Sequence, residues 1–427
     1  MKPTWRTTLT GIACGVGLTA ASWGVAADWA QWRGPTRDGV SAETGLLSEW
    51  PKTGPRLAWQ AKDVGFGYST PSVVGGRLYL LSNEGLDNEF ARCLSAADGK
   101  TLWTTRLGKV GNPNQKPRYP GAKSTPAVDG DVLYALGSDG DLACLEAATG
   151  AARWRKSLRA DFGGAPGEWG YSDSPLVDGD VLVVTPGGAR ATVVALDKKT
   201  GDVVWQSAVP GGDAAAYASV VAADIGGVKQ YVQFLAKGLV GLDAKTGKLL
   251  WRYDKTGAGP ANMTTPLVHD GIIYTGGGLN GGGAAKVTGD AAGGFRVEQL
   301  YFEKKLPTTS GGVVRVGDHL YGTIGNTLAC FDFKTGKILW QDRSVGPASF
   351  CLADRRLYAL GEDGEVALIE PSGEKYVERG RFALPDRPAR QNEKAWAHPV
   401  IADGRLYVRD LGSVWCYDVR AAAQAAR

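Results

Sequence analysis

Apolar runs of a few residues, separated by turn-forming pairs, recur along most of the chain. Ala127-Val128, Val132 to Leu136, Leu142 to Leu145 and Ala151 to Trp154 form one such series, with Asp129-Gly130 between the first two. Runs of this length around Asp-Gly or Gly-Gly turns predict β-hairpins. A fixed phrase marks the last strand of each series: Thr-Gly or Asp-Gly, three residues, then Trp. It occurs as Asp98-Gly99 to Trp103, Thr149-Gly150 to Trp154, Thr200-Gly201 to Trp205, Thr246-Gly247 to Trp251 and Thr335-Gly336 to Trp340. Thr53-Gly54 to Trp59 is a looser copy, lengthened by Pro55. A second interval fixes the first two strands: Pro71, Pro126, Pro266 and Pro399 each precede a Tyr (79, 134, 274, 407) by the same spacing, as Pro175 precedes Val183.

Four short strands repeating about every 40–55 residues predict a β-propeller. Three-strand units (A, B, C) begin near Pro71, Pro126, Pro175, Ser219, Pro266, Val313, Phe350 and Pro399. Fourth strands (D) end near Trp59, Trp103, Trp154, Trp205, Trp251, Tyr301, Trp340 and Tyr376. The last A-B-C unit has no D strand after it, and the first D strand has no A-B-C unit before it. Residues 57–60 are therefore expected to pair beside Val414 to Tyr417 and close the ring, leaving no open sheet edge. The expected fold is all-β: one eight-bladed propeller over residues 28–427, with 28–56 as a lead-in. The lead-in is expected to pack its Trp residues on the outside of the disc, with partner docking as the alternative.

Residues 1–27 read as an export signal. Lys2 and Arg6 precede an uncharged stretch from Thr7 to Ala27, and Val25-Ala26-Ala27 offers a cleavage site before Asp28. An uncleaved anchor is the alternative; a lipoprotein reading through Cys14 lacks the usual lipobox, with Gly11 at its Leu position. No other stretch is long and apolar enough to span a membrane. A periplasmic or extracellular monomer is expected. The 61 Gly and 21 Pro in 427 residues suit many tight turns and argue against a helical bundle. Lys and Arg total 48 against 44 Asp and Glu, without the clustered excess of a nucleic-acid binder.

The repeated Trp residues share one blade position, which points to the wall between blades rather than to a cofactor. Cys93, Cys144, Cys330 and Cys416 share one strand-C position with Ala195 and Gly241, so a small buried side chain is expected there. No Cys-x-x-Cys pair suggests a metal site, and packed sheets lie too far apart for disulfides at this position. His269 and His319 fall in A–B turns. Gly276 to Gly281 matches Gly-x-Gly-x-x-Gly but falls in a B–C loop with no helix after it.

Strand A lines the axis of a propeller. The residue before each strand-A start reads Thr70, Thr125, Ser174, Ser219, Thr265, Gly312, Ser349 and His398 around the ring. Upstream lie Tyr68, Lys123, Tyr171, Asp173, Asn262 and Trp396. Facing one channel mouth, Tyr68, Lys123, Tyr171, Asp173, Asn262, Trp396 and His398 would form a polar pocket with an aromatic rim. The alternative is that the hydroxyls satisfy nearby backbone groups or water.

Leu242 to Trp251 (LDAKTGKLLW) and Phe331 to Trp340 (FDFKTGKILW) closely resemble the quinoprotein tryptophan-docking repeat, and the chain after residue 27 resembles the PQQ-like β-propeller family. Gln31 to Pro35 and Arg37 to Val40 resemble the opening of exported propellers common in planctomycetes. No Trp is followed by Asp, so the WD40 signature is missing. The resemblance implies two kinds of activity. Quinoprotein alcohol dehydrogenases hold pyrroloquinoline quinone (PQQ) and Ca²⁺ on the axis with a catalytic Asp, and usually an adjacent-cysteine disulfide. This chain has no adjacent Cys pair, and Asp173 is the one acidic candidate for a base or metal ligand. BamB-type propellers are non-catalytic and bind partner protein through surface loops. The leading expectation is therefore an exported, non-catalytic scaffold for an envelope protein or small ligand, with no assigned catalytic or metal residue. The alternatives are a PQQ-dependent oxidoreductase acting on alcohols or sugars, and a carbohydrate-binding propeller.

Overall fold

The computed structural model describes residues 1, 27–112, 120–257, 261–278, 280–290, 293–309 and 311–421. The expected export signal, apart from residues 1 and 27, lies outside the described residues. No described helix is long and apolar enough to cross a membrane.

Eight four-stranded antiparallel sheets make the ring. Blade 1 consists of Ser72–Val74, Arg77–Glu84, Asn88–Ser95 and Thr101–Gly108, strands A to D from the axis outward. Blades 2 to 7 follow in chain order. Blade 8 takes strands A to C from Val400–Ala402, Arg405–Asp410 and Ser413–Asp418, and its outer strand from Arg56–Ala61. Leu57 pairs with Tyr417 and Ala61 with Val414, so the ring closes as the strand count requires.

The turn-plus-Trp phrase is a joint between blades. Each Trp lies across from the small strand-C residue: Trp103 opposite Cys93, Trp154 opposite Cys144, Trp205 opposite Ala195, Trp340 opposite Cys330 and Trp59 opposite Cys416. Except at Trp340, which donates its indole N–H to Ser372 at 2.8 Å while His319 lies nearest Gly373, the Trp ring then covers the Gly of the next blade's C–D turn. A Cβ built on Gly99, Gly150, Gly201 or Gly247 would lie within 3 Å of Trp59, Trp103, Trp154 or Trp205. The indole N–H completes the joint by donating to a carbonyl of that next blade: Trp59 to Ala96 at 2.9 Å, Trp103 to Ala147 at 3.0 Å, Trp154 to Lys198 at 3.2 Å and Trp205 to Ala244 at 3.1 Å. Tyr301 does the same in blade 5, donating to Phe333 at 2.9 Å. All five described cysteines are buried, free thiols.

Two blades depart further from the rule, and each of these departures has a cause. Trp251 has no Thr-Gly turn to meet, because the C–D hairpin of blade 5 is longer (Gly281–Gly289 and Phe295–Glu303). It donates instead to Gln230 of its own sheet at 2.6 Å and lies over Gly241, where any Cβ would collide with it. In blade 7 the outer strand is Glu378–Ala383 and does not end at Tyr376, which sits just before it. Gly380 takes the place across from strand C, opposite Leu368. Trp50 of the lead-in fills the vacancy, 5.8 Å from Tyr358 and 5.3 Å from Phe382 between ring centroids. The D strands also run past their Trp, to Gly108 in blade 1 and Ser157 in blade 2.

The lead-in does not lie wholly on the outside of the disc. Trp29 bridges to Val73 of blade 1, and Ala30 accepts the N–H of Val128 in blade 2. The chain then crosses the axis. Arg33 donates to the Val313 carbonyl at 2.6 Å, and Arg37 donates to those of Ser174 and Pro175 at 2.8 and 3.0 Å. Val40 bridges to Leu352 in blade 7, and Ser41 donates to Ile401 in blade 8. One end of the central channel is thereby plugged by backbone and two buried guanidinium groups.

Gly150 and Gly130 both have positive φ, at 76° and 60°. A Cβ on Gly150 would lie 2.6 Å from Trp103, whereas one on Gly130 meets nothing within 4 Å. Gly130→Ala is expected to lose about 1–2 kcal/mol from left-handed strain. Gly150→Ala should lose a further 1–3 kcal/mol, roughly the cost of displacing a packed ring. Urea unfolding midpoints of the two variants measure the difference; equal losses would mean that the docked ring contributes little.

Candidate functional site

The described residues just before each strand A lie at the end of the axis opposite the plug. Most of the expected hydroxyls at these strand starts serve the backbone, whereas Thr125 Oγ1 has no partner among the described residues. Ser174 Oγ accepts the N–H of Thr125 and Ser219 Oγ that of Ser174, both at 2.9 Å, and Thr70 Oγ1 accepts the N–H of His398 at 2.8 Å. Each of these bonds joins one blade to the next. Thr265 Oγ1 instead accepts the indole N–H of Trp32 at 2.9 Å.

Above this ring lies a cup of about 250 Å³ lined by Trp32, Tyr68, Lys123, Trp169, Ser172, Tyr217, Ala261, Met263 and Trp396. Six of these stand two residues before a strand-start position: Tyr68, Lys123, Ser172, Tyr217, Met263 and Trp396. An extended segment turns alternate side chains to opposite sides, so positions two apart share a side. The same parity turns the intervening residues away. Trp32 reaches the floor from the lead-in and packs edge-on against His398, with ring centroids 4.7 Å apart.

Of the residues singled out in the sequence, Tyr68, Lys123 and Trp396 line the cup. Tyr171, Asp173, Asn262 and His398 do not. Tyr171 is buried and donates its hydroxyl to Pro186 at 2.8 Å. Asn262 donates to Leu235 and Ala236 carbonyls at 2.8 and 3.0 Å. His398 is buried behind Trp32. Asp173 is buried near Arg37, and burial pushes its carboxyl up to about 7 against the opposing pull of Arg37 and Thr185. Burial in turn brings Arg37 down to about 9. The sequence reading missed Trp169, Ser172, Tyr217, Ala261 and Met263, which the two-residue offset or its neighbours would have found, and Trp32, which lies outside the repeat.

Lys123 is the cationic group of the cup. Its ammonium donates to the Gly121 and Trp169 carbonyls at 3.2 and 3.3 Å and lies 5.9 Å from the centre of the Tyr68 ring. Burial lowers it to about 8, while the charge of Glu89 works the other way. Glu89 is itself fully buried and accepts the N–H and O–H of Ser138, with burial raising it to about 7.

Ca²⁺ with PQQ does not fit this donor set. Ca²⁺ takes six to eight oxygen ligands, usually with carboxylates among them. The described lining contains no carboxylate, Asp173 sits behind the wall, and no group of three His, Cys, Asp or Glu able to hold a metal occurs among the described residues. The quinone itself carries three carboxylates, against one ammonium in the described lining.

A family model described as "Outer membrane protein assembly factor BamB" matches residues 87–342. The chain is 24% identical over 282 residues to the outer membrane protein assembly factor BamB of Burkholderia pseudomallei, covering 63% of this chain and 65% of that protein. It spans from 31% to 65% of the length of five curated relatives that it matches. The crystal structure of BamB from Moraxella catarrhalis superposes with a TM-score of 0.58 at 18% identity, covering 85% of this chain and 97% of that one. Quinohemoprotein alcohol dehydrogenase from Comamonas testosteroni gives 0.51 at 14% identity, covering 94% and 82%. At these identities the two structures share the fold.

The buried Asp173 makes stability depend on pH. Its folded value near 7 lies above the ordinary 3.8, so the folded state favours the neutral acid. That contribution is present at low pH and is lost as pH rises toward and through 7. Between pH 5 and pH 8 the natural chain should lose about 3 kcal/mol more than Asp173→Asn, from roughly two units of that window at 1.36 kcal/mol each. Urea titrations at the two pH values test this, and parallel losses would show that Asp173 stays ionised in the fold.

Proposed function

The chain belongs to the family of the outer membrane protein assembly factor BamB, and on that premise we propose that it is an exported, non-catalytic scaffold of the cell envelope. Its task is to hold a protein partner or small ligand at the open end of the axis. The observation that carries this reading is the blind cup: a ring plugged at one end and lined at the other, among the described residues, by aromatic side chains and one ammonium. That lining suits ligand binding, and the described residues in it include no paired acid and base for catalysis.

Residues 1–27 are the proposed export signal, and residues 28–427 the single propeller domain, acting as a monomer in the periplasm or outside the cell. Next to the proposed cleavage point, Ala27 donates its N–H to Glu43 at 3.0 Å, Asp28 accepts the N–H of Gly75 at 3.1 Å and Trp29 pairs with Val73. A part in outer membrane protein assembly, as the name of its relatives states for them, is the proposed physiological role.

Fractionation of cells expressing the full chain, with N-terminal sequencing, should find the protein in the envelope fraction beginning at Asp28. Cross-linking in the intact envelope should capture outer-membrane assembly components, and depletion should lower outer-membrane protein levels. A cytoplasmic protein beginning at Met1, or unchanged outer-membrane protein levels without capture, would overturn the proposal.

A further inference from the structure

The cup has a definite shape and a definite charge. Two aromatic pairs stand on opposite sides of it. Tyr68 and Trp396 come from the connections into blades 1 and 8, with centroids 5.0 Å apart, and Trp169 and Tyr217 from those into blades 3 and 4, 5.3 Å apart. Trp32 forms the floor, and Lys123 enters between the pairs from the connection into blade 2. Two of the three N–H donors of the ammonium go to carbonyls, and it forms no ion pair among the described residues. In the same wall, Ser172 Oγ has no partner among the described residues.

These features select a ligand class. A neutral sugar carries a hydroxyl on nearly every carbon, and each one buried without a partner is costly. The described lining has no carboxylate or amide side chain to receive them. A flat aromatic body needs only faces to stack on, and the cup offers five aromatic side chains. A single anionic group would give Lys123 the direct ion pair that the nearby Glu89 does not make with it. The volume of about 250 Å³ suits one or two fused rings rather than an extended chain.

We propose that the cup binds a small, flat aromatic monocarboxylate, with its ring between the Tyr68–Trp396 and Trp169–Tyr217 pairs and its carboxylate on Lys123. The proposal rests on the reading of the cup as the ligand-holding end of the scaffold, and names what is held there. The ammonium places the acid group, and the aromatic walls set the requirement for flatness. Ser172 stands within the same wall to receive the second carboxylate oxygen by turning its hydroxyl.

Calorimetric titration of the purified full-length chain tests the proposal with three probes: 2-naphthoate, the neutral 2-naphthalenemethanol and the non-planar cyclohexanecarboxylate. 2-Naphthoate should bind one-to-one and at least tenfold more tightly than either of the others. Lys123→Met should weaken 2-naphthoate at least tenfold and leave 2-naphthalenemethanol unchanged, while Lys123→Arg should recover most of the loss. Tyr217→Leu should weaken both naphthalene probes together, which keeps the test open should Lys123→Met fail to fold; melting curves report folding in each case. Absence of 2-naphthoate binding, or equal binding to the natural chain and Lys123→Met, overturns the proposal. Neither result touches the scaffold role, which fractionation and cross-linking decide separately.

Discussion

Most walls of the ring depend on an aromatic side chain of one blade lying on a bare glycine of the next. The joint needs three things at once. A small residue on strand C leaves space beneath the indole, as at Cys93, Cys144 and Ala195. A glycine at positive φ turns the neighbouring hairpin so that its backbone faces the ring, as at Gly150 and Gly201. A carbonyl beside that turn receives the indole N–H, which would otherwise be buried without a partner. Burying a Trp in this way removes on the order of 150–250 Å² from water. The sequence phrase is short because the joint is local, and it recurs because every wall poses the same packing problem.

Where a joint fails, the chain repairs it with what lies nearby. Blade 7 has glycine at position 380, and Trp50 fills the space from a segment more than three hundred residues upstream. That repair ties the lead-in to the rim of the disc. Earlier in its course the same segment plugs the axis, so 28–56 is part of the fold rather than a tail. Arg33 and Arg37 are expensive to bury, and burial lowers both, to about 10 and about 9. They are retained because they answer inward-facing carbonyls of Val313, Ser174 and Pro175, which a ring of strand starts leaves without ladder partners. Arg409 does the same work at the seam between blades 8 and 1, donating to carbonyls of Ser69, Leu81 and Leu411.

The blades were legible because periodicity carries them. Eight strand-A starts and the unmatched strand at each end of the chain determine the count and the closure, and Leu57 duly pairs with Tyr417. The outer strand of blade 7 was misplaced because Gly380 erased its marker. The lead-in was not legible, because Trp29, Trp32 and Trp50 each occur once and no repeat says where they go. In the cup, residue type was a poorer guide than parity. Tyr171 and Asn262 have suitable chemistry but stand three residues before the strand-start position and turn away, as does Asp173 at one before it. Tyr217 and Met263 stand at two and face inward.

That parity also separates chemistry from stability. The strand-start hydroxyls hold neighbouring blades together through backbone bonds, and the residues on either side of the cup-facing position are packed into the walls. The cup-facing side chains differ from blade to blade: Tyr, Lys, Ser, Tyr, Met and Trp occupy equivalent places around one mouth. A position that accepts such different side chains in one ring is not fixed by blade packing. The ring therefore supplies a rigid frame on which the contents of the cup can change independently. The plug completes the arrangement, because a channel open at both ends would admit water beneath any bound ring, whereas Trp32 closes the floor with an aromatic surface. Binding energy in such a cup comes from apolar faces that are already ordered, so little conformational entropy is left to lose when a ligand enters.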